Sequence, residues 1–187
     1  QGVLKKEAES IGLDFFSTPF DPTSVDFLES IDIPFYKIAS FEVVDIPLIK
    51  KVAATGKPII MSVGMASLAE IDEAVRVIKS YGNDLALLKC SSAYPAVPEK
   101  MNLRTIQHLQ ETFQVPVGLS DHSMGSVSAV TAVALGARII EKHFCLDRSI
   151  KNPDAAFSME PAEFAEMVKN VDMVVSALGE PVYKISA

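Results

Sequence analysis

The chain has 187 residues, 49% of them hydrophobic, and a formal net charge of −7, with a mean hydropathy of +0.25. That is enough chain for one domain with a sizeable core, and too apolar for disorder. No basic stripe is present, which argues against nucleic acid as a partner. A local site can still oppose the global charge and hold an anion.

The opening QGVLKKEAES reads as the end of an amphipathic helix and not as a secretory leader. A unit then recurs about six times: a short apolar run that ends in small or polar residues, followed by an amphipathic segment. The runs are DFFSTPF (14–20), FYKIAS (35–40), PIIMSVGM (58–65), LALLKCSSAYP (85–95), PVGLSDHS (116–123) and RIIEKHF (138–144). Helical patterns fall at 24–31, 43–56, 67–82, 102–113, 126–137 and 161–179. Ser67 followed by Glu70 forms a capping box, Gly56 is a stop signal, and Pro161 suits a first turn. No apolar run approaches the ~20 residues of a membrane span. Cys90 and Cys145 show neither zinc spacing nor a disulfide framework. A reducing cytoplasm is the expected setting.

Strands that alternate with helices imply parallel pairing. Nearly continuous apolar strands imply burial on both faces. A doubly wound open sheet and a (β/α)₈ barrel both fit. No GxGxxG follows the first run, and polar residues close every run rather than one switch point. Both features favour the barrel, in which all strands share one rim. Six units fall short of eight, so the expectation is a partial TIM barrel over 1–179, strands 3–8 of the full fold. Residues 180–187 would start an interdomain linker.

Several run ends carry candidate chemistry. His122 and His143 close two successive strands; they are either hydrogen-bonded packing residues or a pair sharing one divalent metal, with water and substrate completing the shell. His108 falls in a helical pattern and is expected at the surface. Lys37 is either a side chain reaching for the rim, a cation for phosphate or carboxylate, or a Schiff-base amine. Glu42 could pair with it or act as an acid/base group. Ser40, Ser62, Ser92 and Ser120 recur at matching depth and could ring an oxyanion with hydroxyls. Tyr94 with Pro95 offers an aromatic wall. Asp154 sits in Asn-Pro-Asp turn chemistry and could accept from a sugar hydroxyl. A metal that polarises a carbonyl beside a phosphorylated carbon donor suits condensation or aldol chemistry.

STPFD (17–21), YKIAS with Glu42, GKPIIMSVGM (56–65), KCSSAYP (89–95), GLSDHS (118–123), EKHFCLDRS (141–149) and NPDAAFSMEP (152–161) stand in one order. In these stretches the chain resembles the sialic acid (nonulosonic acid) synthase family over nearly its whole length. The resemblance implies condensation of phosphoenolpyruvate with the open aldehyde of an N-acetylated amino sugar. A nine-carbon 2-keto acid forms, and phosphate leaves by C–O cleavage. It implies that His122 and His143 hold manganese or magnesium, and that Lys37, Ser40, Ser62 and Ser120 grip phosphoenolpyruvate. Ser92 stands where some sialic acid synthases carry Asn, which puts its contact in doubt. Tyr94 and Asp154 match positions near the acceptor sugar, and Glu42 matches an active-site acid.

The family's first two strands and its C-terminal antifreeze-like domain have no counterpart in these residues. The isolated chain is therefore expected to be inactive, and the parent protein a homodimer. DRSIKNPDAAFSMEP, with Phe157, looks most like the pseudaminic acid synthases, whose acceptor is a doubly N-acetylated 6-deoxy hexose. The competing readings are another metal-dependent barrel aldolase or keto-acid synthase, and a non-catalytic paralogue or fragment.

Overall fold

The computed structural model describes residues 2–183. Its elements alternate as the periodicity predicts. Helix α1 (Gly2–Ser10) is followed by α2 (Pro22–Ser30), strand β1 (Tyr36–Ile38), α3 (Ile46–Ala53), β2 (Ile59–Ser62), α4 (Leu68–Ser80) and β3 (Leu85–Cys90). Next come α5 (Thr105–Phe113), β4 (Val117–Asp121), α6 (Val127–Ala134), β5 (Ile140–Lys142) and α7 (Pro161–Leu178). Three short 3₁₀ turns cover Ser40–Val44, Pro98–Lys100 and Ala155–Phe157. No helix among the described residues is long and apolar enough to cross a membrane. The expected linker at 180–187 lies partly outside the described residues.

The five strands pair in parallel, in chain order. The expected sixth strand, at 14–20, is absent: that run joins no ladder among the described residues. Its aromatics contribute to packing instead. Phe15 lies against the core, and the Phe16 ring sits 4.3 Å from that of Phe35. Pro19 has no N–H to give a neighbour.

The register sorts the side chains by face. Tyr36, Ile38, Ile59, Met61, Leu85, Leu87, Val117 and Leu119 point to the helices and form the main core. The helices answer with stripes at their own period: Ile71, Ala74, Val75 and Ile78 on α4, and Ile106, Leu109 and Phe113 on α5. The predicted capping box at Ser67 and Glu70 forms in full.

The opposite face carries cross-strand rows. Lys37, Ile60 and Ala86 form one; Ser62, Leu88 and Gly118 the next; Cys90, Ser120 and Glu141 a third. Strands β1 and β5 are the two edges, roughly 19 Å apart if the sheet were flat, at about 4.8 Å per strand. Yet Lys37 Nζ on the first lies 3.2 Å from Glu141 Oε2 on the last. Two side chains cannot span that gap, so the sheet curls into an arc with this face inside.

Gly118 on the inner face leaves no room for a side chain. A methyl group there would press on the Ile139 carbonyl oxygen and come within 2.7 Å of Leu88 Cδ2. Gly118→Ala should therefore destabilise by about 1–3 kcal/mol, the usual cost of overpacking. Chemical denaturation would show it as a lower midpoint with an unchanged slope.

Candidate active site

The inner face gathers the predicted residues at the C-terminal ends of the strands. Lys37 comes from β1 and is only 6% exposed. Its one ion-pair partner among the described residues is Glu141. The other oxygen of that carboxylate accepts the Ser120 hydroxyl proton at 2.6 Å. Glu141 thus joins β1, β4 and β5 in one chain of contacts. In the sequence it stands two residues before His143, in EKHFCLDRS. The available signal was the strand's period of two, which puts residue 141 on the face of residue 143.

The four serines do not form an equivalent ring. Ser40 heads a 3₁₀ turn, and its Oγ accepts the Gly64 N–H at 3.1 Å. Ser92 lies just past β3, with its Oγ 3.4 Å from Cys90 Sγ. Ser120 spends its proton on Glu141. Ser62 is buried, and its hydroxyl has no protein partner. A buried hydroxyl left alone is costly, and it marks Ser62 as the serine free to meet a ligand. Glu42 is similar: its Oε2 is buried without a partner. Of the two roles open to Glu42, pairing with Lys37 is not the one formed; Lys37 takes Glu141 instead.

His122 and His143 follow the last ladder pair of β4 and β5. Their ring centroids are 5.2 Å apart. Each has a second group on Nδ1: Cys90 Sγ lies 3.8 Å from that of His122, and Asp154 Oδ2 lies 3.6 Å from that of His143. Burial, helped by the neighbouring His122, holds the His143 imidazole below its ordinary pKa. A neutral imidazole with Nε2 open and Nδ1 oriented by another group is what a metal ion takes. The pair therefore fits a divalent ion. No group of three His, Cys, Asp or Glu gathers at ligand spacing among the described residues. A bound ion would complete its shell with water or substrate oxygen.

Around the pair stands an aromatic wall. The Tyr94 ring is 4.2 Å from His122 and 5.5 Å from Phe157, and Phe157 is 5.0 Å from His143. Phe157 is buried, while Tyr94 and Asp154 are exposed at the rim. The backbone explains how a distant segment arrives here. Met159 N–H bonds the His143 carbonyl and Cys145 N–H bonds the Met159 carbonyl, which ties Met159, two residues past Phe157, to the segment just beyond β5. His108 is exposed on α5, as expected.

Cys90 was not singled out from sequence, because only register reveals that it shares a row with Ser120. Burial raises its thiol, but hydrogen bonds with His122, Ser92 and Ser40 outweigh that and bring the pKa down to about 6.

A parallel arc with an ammonium and an imidazole pair converging at the strand ends is the layout of a (β/α)₈-barrel site, here formed by part of the barrel. The chain belongs to the NeuB family, whose model matches residues 1–183. It is 47% identical over 174 residues to the pseudaminic acid synthase of Helicobacter pylori, covering 92% of this chain and 51% of that protein. It is 38% identical over 179 residues to the human N-acetylneuraminate-9-phosphate synthase, covering 95% and 50%. The crystal structure of a sialic acid synthetase from Leptospira borgpetersenii, in complex with citrate, superposes with a TM-score of 0.95 at 36% identity. That match covers 100% of this chain and 65% of the other. The chain thus spans about half the length of the curated relatives it matches.

Proposed function

We propose that the full-length protein joins phosphoenolpyruvate to the open-chain aldehyde of an N-acetylated amino sugar. The products are a nine-carbon 2-keto acid and phosphate. The observation that carries this reading is the gathering of Lys37, Ser62, Ser120, Glu141 and the imidazole pair on one inner face, in a chain of the NeuB family.

Lys37 and the unpartnered Ser62 hydroxyl suit the donor's phosphate, a compact charge and a proton for its oxygens. Tyr94, Phe157 and Asp154 lie beside His143 and suit the sugar, with stacking area and a hydroxyl acceptor. Manganese or magnesium on His122 and His143 would polarise the aldehyde oxygen as a Lewis acid. A carbon–carbon bond forms between the enol carbon and the aldehyde carbon, and the aldehyde oxygen gains a proton. Water adds at the donor's C2 and gives up a proton, for which Glu42 is the base with an open oxygen. The C2–O bond to phosphate then breaks, so one water is consumed per turnover.

For the acceptor we favour a doubly N-acetylated 6-deoxy hexose. Identity is higher to the pseudaminic acid synthase than to the human relative, and Phe157 gives an apolar wall that suits a methyl carbon. Phosphate release by the full-length protein should require both phosphoenolpyruvate and this sugar, and be slower with a singly N-acetylated hexosamine. Oxygen from labelled water should enter the keto acid and not the phosphate. Turnover with pyruvate as preferred donor would make the protein an aldolase instead.

A further inference from the structure

Asp121 and Lys142 lie directly opposite each other in the β4–β5 ladder, and theirs is its last pair. Each precedes a site histidine by one residue. The pleat therefore turns this pair to the helix side and the two imidazoles to the inner face. Lys142 Nζ lies 2.8 Å from Asp121 Oδ2, with the two side chains 1% and 0% exposed. Its remaining protons go to the carbonyls of Ser123 at 2.5 Å and Gly125 at 3.0 Å. Asp121 Oδ1 accepts the N–H of Ser123 at 2.8 Å and its hydroxyl at 2.7 Å. One ammonium and one carboxylate thus fasten the end of β5 to the end of β4 and to the turn that follows it.

The histidines lie beyond the ladder. Their backbone bonds lead apart: the His122 carbonyl accepts from Ala96 N–H and the His143 carbonyl from Met159 N–H, both at 2.9 Å. No backbone bond among the described residues links one histidine to the other. We infer that the buried Asp121–Lys142 pair, on the reverse face of the sheet, is a positioning device that sets the spacing and aim of the His122 and His143 rings. A buried ion pair is a poor source of stability, because desolvation offsets the attraction, and an apolar pair would fill the space as well. Its distinct contribution is directional: three acceptors fix the ammonium, and the ammonium fixes both strand ends.

The test uses the full-length protein with Asp121→Asn and Lys142→Met together, which removes both charges and leaves Oδ1 for Ser123. The first readout is the imidazole NMR spectrum of metal-free protein. The signals of His122 and His143 should shift and broaden while those of His108 stay in place. The second is Mn²⁺ affinity by calorimetry, expected to fall tenfold or more, as on loss of groups that orient metal ligands. The thermal midpoint should stay near wild type. A folded variant with wild-type imidazole signals overturns the inference. The second readout rests on the metal reading proposed above: if wild type takes up no Mn²⁺, that reading fails and the imidazole spectra alone decide here. Should the double variant not fold, Lys142→Arg keeps the charge but moves its hydrogen-bonding head. The same two signals should then shift by a smaller amount, and no shift overturns the inference.

Discussion

His122→Ala in the full-length protein is expected to abolish measurable Mn²⁺ binding and to cut the rate of phosphate release by about 10³-fold or more. The magnitude follows from the several kcal/mol that a Lewis-acid ion contributes to a developing oxyanion, at about 1.4 kcal/mol per factor of ten. The effect should be electronic rather than structural. The ring is buried against Tyr94 and Cys90, so its loss leaves a gap. That gap sits at the rim, outside the core between sheet and helices. His143→Ala should match it, because a single imidazole holds a divalent ion weakly. His108→Ala, on the exposed face of α5, is the control and should change neither quantity. Calorimetry on the three variants checks the metal, and initial rates check the chemistry. Equal Mn²⁺ affinity in wild type and His122→Ala would remove the metal from the mechanism.

Lys37→Met should act on the other substrate. A charge-assisted contact with phosphate contributes about 1.5–3 kcal/mol, so the KM for phosphoenolpyruvate should rise roughly 10- to 100-fold. A smaller change in kcat is expected, since a grip that is uniform along the reaction path alters binding more than rate. Part of the effect will come through Glu141, which loses its cation. That carboxylate is 38% exposed, so water can replace much of the lost partner. Lys37→Arg should rescue poorly, because the planar guanidinium needs room that a buried ammonium does not. Borohydride reduction in the presence of the sugar aldehyde and phosphoenolpyruvate separates the anion role from a Schiff base. No adduct at Lys37 is expected, and a reduced covalent adduct there would reassign the residue.

The fold was legible wherever the two periods differed clearly. The alternation of apolar runs with amphipathic segments placed all five strands and the helices between them. It failed at 14–20, where an aromatic-rich run looks like a strand but finds no ladder. Strand formation needs a neighbour, and composition does not specify one. At the site, residue type was enough to mark Lys37, His122 and His143. It could not assign partners. Nearness in sequence made Glu42 one candidate partner for Lys37, whereas curvature of the sheet hands it Glu141 from the opposite edge. The serines looked equivalent because each closes a strand, but their hydrogen bonds leave only Ser62 unengaged. Cys90 and the Asp121–Lys142 pair depend on register, which no single strand encodes.

The contact between Lys37 and Glu141 joins residues about a hundred positions apart along the chain. Closing so long a loop is entropically slow, and contacts of this kind form late. During synthesis, a nascent chain that has released its first four strands would already have helices to pack and apolar surface to hide. Its Lys37 would still lack the Glu141 carboxylate, which arrives only with β5. An interrupted translation product of that length would be folded in part, with a buried ammonium left without its partner.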